Sequence, residues 1–392
     1  MEPTNRREFL RKAFLGTGAV LSLGCLAPGN ILHPEPRSPI PGSGSLPKHD
    51  SMKKLSPREA MYYTRLDRNR VRCDLCYRKC IIPENGTGFC RVRENTGGKL
   101  YSLVYGNAAG LQIDPIEMEP MYHMLPGHSN LCVYTASCNF RCKHCHNWHI
   151  SQRGPSQITA RQHSARDIVR MAKRRGCRSI SHSINEPTVF YEYMYDIARA
   201  AKEEGLLTLF HTNGYISPEP LRDVLHYMDG VTVDLKAFSE GFYTDISMAS
   251  LEPVLETLQI IRENNVHLEI VHLVIPTLND SVEEIGKMSK WISKNIGRDI
   301  PLHFNRFSPM YQLTNLPPTP VRTLEAAADT ARRNGLRYIY IGNVPGHKTG
   351  YSTHCPSCGK LLIRRTHFTV ESNELKNGRC GTCETEIYGI WE

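Results

Sequence analysis

The sequence predicts an α/β fold: a partial (β/α)6 barrel of parallel strands, with an N-terminal cysteine-rich segment and a C-terminal cysteine-containing module. Short apolar and β-branched segments alternate with helical segments along the middle of the chain, which is the pattern of β–α repeats. Closely spaced cysteines lie on either side of these repeats. A chain of 392 residues is also too long for one small core, so we expect several units.

Six segments have the composition of buried strands: Asn130–Thr135, Ser179–Ile184, Leu207–Thr212, Val231–Lys236, His267–Ile275 and Leu302–Phe307. Helical segments such as Ala165–Arg175 and Tyr191–Glu204 lie between them. Repeated β–α units imply parallel strands joined by right-handed crossovers. In such barrels the functional residues lie at the carboxyl ends of the strands.

Polar residues lie at the carboxyl ends of four strands of this predicted barrel: Asn185, Glu186, Thr212, Asn213, Asp234, Lys236 and Arg306. A polar residue at a strand end can simply cap a helix or form a turn. Four such ends with groups suited to ribose, amine and carboxylate favour a binding site instead.

Composition places few further limits on function. A hydrophobic content of 40% and a charged content of 22% are ordinary for a folded protein. The formal charge of +9 ignores metals. Thiolates in two zinc sites and one cluster would remove roughly five charges net. We therefore expect no nucleic-acid partner.

Fourteen cysteines are informative through their spacing, because eleven lie in three tight groups, as metal ligands do. A disulfide framework is the alternative, but it suits small secreted domains. The first group is Cys73, Cys76, Cys80 and Cys90. Four thiolates at this spacing suit either structural zinc or an auxiliary iron–sulfur cluster, and the sequence does not separate the two.

The last group, Cys355, Cys358, Cys380 and Cys383, has the two Cys-x2-Cys pairs of a zinc ribbon. Leu361–Arg365 and Thr366–Val370 can supply its strands. Structural zinc is the prediction, with a second auxiliary cluster as the alternative. Cys132 and Cys177 lie in apolar settings and are predicted to be core residues.

The central group, Cys138, Cys142 and Cys145, directly follows the first predicted barrel strand. Three such thiolates can hold three corners of a [4Fe–4S] cluster and leave one iron for the amino and carboxylate groups of S-adenosylmethionine. One electron into such a cluster can cleave the carbon–sulfur bond and release a 5′-deoxyadenosyl radical, which is cofactor chemistry that the protein positions and shields. The alternative is a partial zinc site completed by His144 or His146. The position after a strand that opens a β–α series favours the cluster.

The first residues resemble a twin-arginine export signal, with Arg6 and Arg7 ahead of Phe9 and Leu10. The apolar stretch that follows is shorter than the ~20 residues needed to span a bilayer, so we expect no transmembrane protein. This route would carry the chain to the periplasm, or to the outer face of the inner membrane, after cytoplasmic folding and cluster insertion. The alternatives are an ordinary secretory signal or a frayed tail, and the protein is cytoplasmic if the signal is not used. Lipidation of Cys25 is not favoured, because Ser22 and Leu23 fit a lipoprotein signal poorly.

The predicted domain boundaries follow from these features. They are a signal segment at 1–27, a Pro-, Gly- and Ser-rich flexible tether at 28–57, a four-cysteine metal-binding region at 58–125, the barrel at 126–345 and the zinc-ribbon-like module at 346–392.

From about residue 70 onward the chain resembles the AmmeMemoRadiSam-system radical enzymes, within the broader class similar to pyruvate formate-lyase activating enzyme. The matching stretches include Cys73–Cys76, Gly88–Arg93, Asp114–Glu117, Cys142–Ser151, Asn185–Glu192 and Val231–Lys236. The resemblance implies a radical S-adenosylmethionine (SAM) barrel in which Cys138, Cys142 and Cys145 hold the catalytic cluster. It also implies that Asn185–Pro187 forms the methionine-binding turn, with Asn213 and Asp234 near the nucleoside.

Two departures from the family pattern stand out. His144 occupies a position that is usually aromatic, where it could still stack near the adenine. The export signal is unusual because the resembling enzymes are generally cytoplasmic.

Three functional hypotheses follow. The first is a radical SAM enzyme whose radical abstracts hydrogen from an unidentified small-molecule or protein substrate. The second is an activase that places a glycyl radical on a partner. The third is a non-catalytic iron–sulfur electron-transfer protein, for which the strand-end residues would have no cofactor to bind. Both enzyme hypotheses need a low-potential electron donor such as flavodoxin or ferredoxin.

Overall fold

A computed structural model describes residues 58–347 and 350–392. The predicted signal segment (1–27) and tether (28–57) lie outside the described residues. One eight-stranded sheet dominates the described part of the chain. Its strands, numbered in chain order, are β1 Gly110–Pro115, β2 Ser129–Tyr134, β3 Ser179–His182, β4 Leu207–Thr212, β5 Gly230–Asp234, β6 His267–Val274, β7 Leu302–Arg306 and β8 Ile339–Gly342.

Strands adjacent in the chain are also adjacent in the sheet, from β1 to β8. β1 pairs antiparallel with β2, and every pair from β2 to β8 is parallel. Six helices connect the parallel strands: α1 Ala165–Arg174, α2 Tyr191–Glu203, α3 Pro218–Leu225, α4 Glu252–Glu263, α5 Val282–Asn295 and α6 Val321–Arg333. The predicted α/β fold with a parallel sheet is therefore confirmed, and all six predicted strands are present.

The sheet extends beyond the prediction at both edges. β8 adds a seventh parallel strand after the sixth β–α repeat, and β1 adds an antiparallel strand from the region assigned to the N-terminal cysteine-rich segment. The sequence of β1 has no continuous apolar run that would predict a strand. The strand is half-buried along its whole length and ends at Pro115. Proline is tolerated there because this is an edge strand.

The two faces of the sheet differ in polarity because successive side chains of a strand point to opposite sides. In β5, Val231 and Val233 are fully buried in the apolar core with the surrounding helices. Thr232, between them, donates from its hydroxyl to the Glu119 carbonyl at 2.9 Å. Asp234, at the carboxyl end of β5, lies on the same face as Thr232, because residues two apart in a strand point to the same side.

Helix boundaries follow from local sequence. α1 begins with a capping box: Asp167 N–H donates to Ser164 Oγ at 3.2 Å, and Ser164 N–H donates to Asp167 Oδ2 at 2.9 Å. α5 begins in a similar way, since Glu284 N–H donates to Ser281 Oγ. Gly176 follows α1 with a φ of +68°, a left-handed conformation that ends many helices.

Short antiparallel strands precede the eight-stranded sheet in the chain. They form two three-stranded sheets from Arg58–Glu59, Lys99–Ser102 and Arg93–Thr96, and from Tyr63–Arg65, Val71–Cys73 and Ile81–Ile82. A further pair joins Asn107–Ala108 to Arg161–Gln162. Short helical turns are Ile116–Met118, Trp148–Ser151, Pro155–Gln157, Pro187–Phe190, Glu240–Phe242 and Tyr243–Ser247.

The C-terminal part folds as a three-stranded antiparallel sheet of Thr353–His354, Leu361–Thr366 and Thr369–Asn373, followed by the pair Leu375–Lys376 and Arg379–Cys380. An ion pair joins it to the chain before β2, because Arg365 Nε lies 3.2 Å from Glu117 Oε1 and both side chains are fully buried. Within the described ranges, no helix is both long and apolar enough to cross a membrane.

Candidate active site

Cys138, Cys142 and Cys145 lie in the loop that leaves the carboxyl end of β2. Asn185 anchors the start of this loop, since its Oδ1 accepts from Thr135 N–H at 3.0 Å and its Nδ2 donates to the Ser137 carbonyl at 2.9 Å. The far side is held by backbone: Arg141 N–H donates to the Ser247 carbonyl and Lys143 N–H to the Ile246 carbonyl. The loop is therefore fixed from two directions.

Hydrogen bonds reach two of the three sulfur atoms. Phe140 N–H donates to Cys138 Sγ at 3.3 Å, and Asn213 Nδ2 approaches the same sulfur at 3.7 Å. The Cys142 thiol donates to Ser247 Oγ at 3.5 Å. Burial raises the pKa of the free Cys145 thiol to about 11, so a bound metal would have to stabilise the thiolate form.

The loop fits a [4Fe–4S] cluster better than a single metal ion. N–H donors at cluster sulfurs are one of the features that set cluster potential. A partial zinc site completed by His144 or His146 would bring its ligand atoms close together. Within the described ranges, only the four C-terminal cysteines bring three or more such atoms within 4.8 Å of one another.

Glu186 joins the ends of β3 and β4. Its Oε1 accepts from Thr188 N–H at 3.0 Å, from Thr188 Oγ1 at 2.6 Å and from Thr212 Oγ1 at 2.7 Å. Its Oε2 accepts from Asn213 N–H at 2.8 Å. A carboxylate offers about four lone-pair sites, two on each oxygen, so Oε2 keeps the greater remaining capacity. The structure thus brings together Glu186, Thr212 and Asn213.

A half-buried ion pair joins Lys236 to Asp234, the last residue of β5, with Lys236 Nζ 2.8 Å from Asp234 Oδ2. His211 Nε2 lies 3.0 Å from Asp234 Oδ1. Burial opposes the charged form of Asp234, but Lys236 and then His211 outweigh it and hold the pKa of the carboxyl well below its usual range. Asp234 is therefore an anion at neutral pH.

His144 is buried, lies between Cys142 and Cys145 in the sequence, and has its ring centroid 5.8 Å from that of Phe242. Its Nδ1 has no hydrogen-bond partner within the described ranges. Burial, and then the charge of Lys236, lower the pKa of His144 to about 3, so the ring is neutral. The side chain of Arg306 donates from Nε to the Thr319 carbonyl at 2.9 Å.

The other two cysteine groups differ in geometry. In the C-terminal group, Cys355 Sγ lies 3.5 Å from Cys383 Sγ, and Cys358 Sγ lies 3.7 Å from Cys380 Sγ. In the N-terminal group, Cys73, Cys76, Cys80 and Cys90 all line one apolar cavity.

Several side chains at the site carried no signal in the sequence analysis. Ser247 and Tyr243 lie in a short helical turn far along the chain, yet Ser247 contacts Cys142, and the Tyr243 hydroxyl accepts from Lys236 N–H at 3.1 Å. His211 immediately precedes a strand-end residue that was singled out, but histidine within a strand reads as an ordinary core residue. Its pairing with Asp234 depends on the register between β4 and β5.

The chain is similar in sequence to several known proteins. Residues 132–289 match the Radical SAM superfamily. An uncharacterized protein of Methanocaldococcus jannaschii is 43% identical over 332 residues, covering 84% of this chain and 98% of that protein. The pyruvate formate-lyase-activating enzyme of Clostridium pasteurianum is 28% identical over 169 residues, covering 42% of this chain and 69% of that enzyme.

Among solved structures, a domain of pyruvate-formate lyase-activating enzyme from Bacteroides vulgatus aligns with a TM-score of 0.38 and 14% identity. The alignment covers 42% of this chain and 99% of that domain.

Proposed function

The chain belongs to the radical SAM superfamily, and from this premise we propose that it is an enzyme that cleaves S-adenosylmethionine reductively to abstract hydrogen from a substrate. The observation that carries the proposal is the loop of Cys138, Cys142 and Cys145, fixed at the carboxyl end of β2 with two N–H donors at the Cys138 sulfur. A [4Fe–4S] cluster bound there would supply the electron that breaks the carbon–sulfur bond.

The surrounding residues would bind and orient S-adenosylmethionine. We assign Oε2 of Glu186 to the ammonium group, because that oxygen keeps a lone pair while Oε1 accepts three hydrogen bonds. The Asp234–Lys236 pair would present fixed charges to the substrate or the nucleoside at the end of β5. His144, held neutral by burial, would offer a flat ring beside the adenine. We keep Arg306 as a proposed cofactor-binding residue, although its Nε already donates to the Thr319 carbonyl.

A glycyl-radical activase is the second candidate. Its support is the similarity to relatives named as pyruvate formate-lyase-activating enzymes, at 28% identity over 169 residues in Clostridium pasteurianum and 25% over 166 residues in Escherichia coli. We keep the narrower likeness to the AmmeMemoRadiSam-system enzymes as a proposal of the same kind. The electron-transfer hypothesis ranks last, because it gives no role to Glu186 or to the Asp234–Lys236 pair.

Three further assignments complete the proposal. Flavodoxin or ferredoxin would be the electron donor. The four C-terminal cysteines would hold structural zinc, since a tetrahedron with Zn–S of about 2.3 Å has sulfurs about 3.8 Å apart, near the 3.5 and 3.7 Å separations seen. The twin-arginine segment would direct the folded protein out of the cytoplasm.

The test is anaerobic reconstitution of the full chain, reduction with dithionite in the presence of S-adenosylmethionine, and chromatography for 5′-deoxyadenosine. Cys142→Ala should abolish release, because it removes one of three cluster ligands. Cys177→Ala is the matched control, since Cys177 is buried next to α1 and away from the three groups. Release by the parent and the control alone supports the enzyme. No release from a fully loaded parent would favour the electron-transfer hypothesis.

The activase hypothesis needs a different readout. Mixing the reconstituted protein with pyruvate formate-lyase, the partner in the names of these relatives, should produce a glycyl radical, detected by electron paramagnetic resonance. A radical that forms with the parent and not with Cys142→Ala would support this candidate. Uncoupled release of 5′-deoxyadenosine without any protein radical would favour another substrate.

A further inference from the structure

The four N-terminal cysteines surround a cavity that the catalytic proposal does not use. Cys73, Cys76, Cys80 and Cys90 line it together with apolar side chains, among them Leu75, Ile82 and Val189. Spacing alone left zinc and an iron–sulfur cluster equally open. The N-terminal group can be compared with the other two cysteine groups of the chain. These are the four C-terminal cysteines, proposed to hold zinc, and the cluster-like loop of Cys138, Cys142 and Cys145.

The N-terminal group resembles the cluster-like loop. The C-terminal sulfurs touch in pairs, at separations close to the edge of a zinc tetrahedron. Within the described ranges, that is the group in which three or more ligand atoms all lie within 4.8 Å. Among the described residues, no three sulfurs of the N-terminal group, and not the three of Cys138, Cys142 and Cys145, all lie within that distance of one another. Ligands of a polynuclear cluster are spread because each thiolate binds a different metal ion.

An unpaired donor points to the same chemistry. Arg93 lines the cavity and is only 1% exposed. Its terminal nitrogens donate to Glu192 Oε1 and the Met61 carbonyl, but its Nε has no partner within the described ranges. Leaving a buried donor unsatisfied costs about 1–3 kcal/mol. Inorganic sulfide and cysteine sulfur of a cluster would both accept from it, as sulfurs of bound clusters commonly do.

The cavity adjoins the catalytic loop. Asn139, the residue after Cys138, lines it, and the Asn139 carbonyl accepts from Arg78 Nε at 2.9 Å. Arg141 donates to the Phe89 carbonyl, and its guanidinium lies 4.2 Å from the Phe89 ring centroid. Phe89 precedes Cys90 directly. The two cysteine loops are therefore in contact through side chains of both.

We infer that Cys73, Cys76, Cys80 and Cys90 hold a second iron–sulfur cluster, of the [4Fe–4S] type, next to the catalytic one. The inference rests on the proposed function only in taking Cys138, Cys142 and Cys145 as the first cluster site. Four thiolates complete the coordination of this second cluster, so it has no open iron for S-adenosylmethionine. Its place beside the catalytic loop suits a cluster that exchanges electrons with the first.

Metal analysis of the anaerobically reconstituted full chain tests the inference without any measurement of catalysis. Two clusters and one zinc predict about eight iron atoms and about one zinc per chain. A single cluster with two zinc sites predicts about four iron atoms and about two zinc. The second result would overturn the inference. A parent with two clusters that releases no 5′-deoxyadenosine would refute the proposed function and leave the inference standing.

A triple variant, C138A/C142A/C145A, isolates the second site. It should retain about four iron atoms and give the resonance signal of a reduced cluster that S-adenosylmethionine does not alter. Cys177→Ala should keep the full iron content of the parent. In the fully reduced parent, the two adjacent paramagnetic clusters should broaden each other's electron paramagnetic resonance signals. An iron-free triple variant that is folded by circular dichroism would contradict the inference, and the metal content of the parent decides the question if the variant does not fold.

Discussion

Glu186→Gln tests whether one buried carboxylate joins two strand ends of the active site. The parent side chain is 4% exposed and accepts four hydrogen bonds from Thr188, Thr212 and Asn213. Glutamine has nearly the same shape but only one carbonyl oxygen. If that oxygen keeps the three donors on the Oε1 side, the new NH2 group faces the Asn213 N–H, and two donors oppose each other.

The magnitude follows from the change in hydrogen-bond type. A hydrogen bond to a charged group contributes about 1.5–3 kcal/mol, and one to a neutral group about 1 kcal/mol. Three bonds would weaken by roughly 1 kcal/mol each and the fourth would be lost, while the neutral amide costs less to bury. We therefore expect the free energy of unfolding to fall by about 3 kcal/mol. Binding of S-adenosylmethionine should weaken as well, because the oxygen assigned to its ammonium is gone.

Urea unfolding of the cluster-loaded protein under anaerobic conditions measures the first effect, and equilibrium binding measures the second. Glu203→Gln is the matched control, since Glu203 is exposed at the end of α2 and should change stability by less than about 0.5 kcal/mol. If Glu186→Gln is as stable as this control, the four hydrogen bonds do not hold the strand ends. If stability falls and cofactor affinity does not, Glu186 is a structural residue alone.

Three further changes address other parts of the molecule. Arg365→Met leaves Glu117 charged and buried without its partner, so urea unfolding should show a loss of about 3–5 kcal/mol, and a loss under 1 kcal/mol would contradict a structural role for this pair. Burial lowers the pKa of His182 to about 4, below the unfolded value of about 6.5, so the unfolded chain takes up the proton first and stability falls as pH drops through this window. The parent should therefore lose about 1 kcal/mol more than His182→Phe between pH 7 and pH 5.5, and equal losses would refute the assigned pKa. Asn213→Ala removes a donor near the Cys138 sulfur. If that donor favours the reduced cluster by about 1 kcal/mol, a redox titration should show a potential about 40 mV lower, and an unchanged potential would show that the contact has no electronic role.

The parallel sheet was predictable because local composition encodes it. Segments such as Leu207–Thr212 are short, apolar and β-branched, and helices separate them, so both element type and order follow from sequence. Of the two strands that the prediction omitted, Gly110–Pro115 lacks this signal, because it has no apolar run, and its place in the sheet depends on the neighbouring strand. Ile339–Gly342 carries the signal in its apolar, β-branched residues, and the prediction missed it.

Strand-end residues could be picked out, but their partners could not. Glu186 and Asn213 were both singled out from sequence because parallel strands end at the same edge of a sheet. The Glu186 carboxylate accepts four hydrogen bonds from neighbouring protein groups. These bonds depend on exact side-chain geometry, which the sequence does not give. The contact of Ser247 with Cys142 joins residues 105 positions apart, and no local pattern predicts such a pair.

The cysteine groups show the same limit from another side. Ligand spacing constrains which residues can converge, and it identified three groups, but it does not set how far apart their sulfur atoms lie. That distance is determined by long-range contacts, such as those of Arg78 with Asn139 and of Arg141 with Phe89. These contacts pull the loop before Cys90 against the loop after Cys138. Because the same contacts hold both cysteine loops in place, changes at Arg78 or Arg141 should affect both metal sites together, whereas changes in the C-terminal module should not.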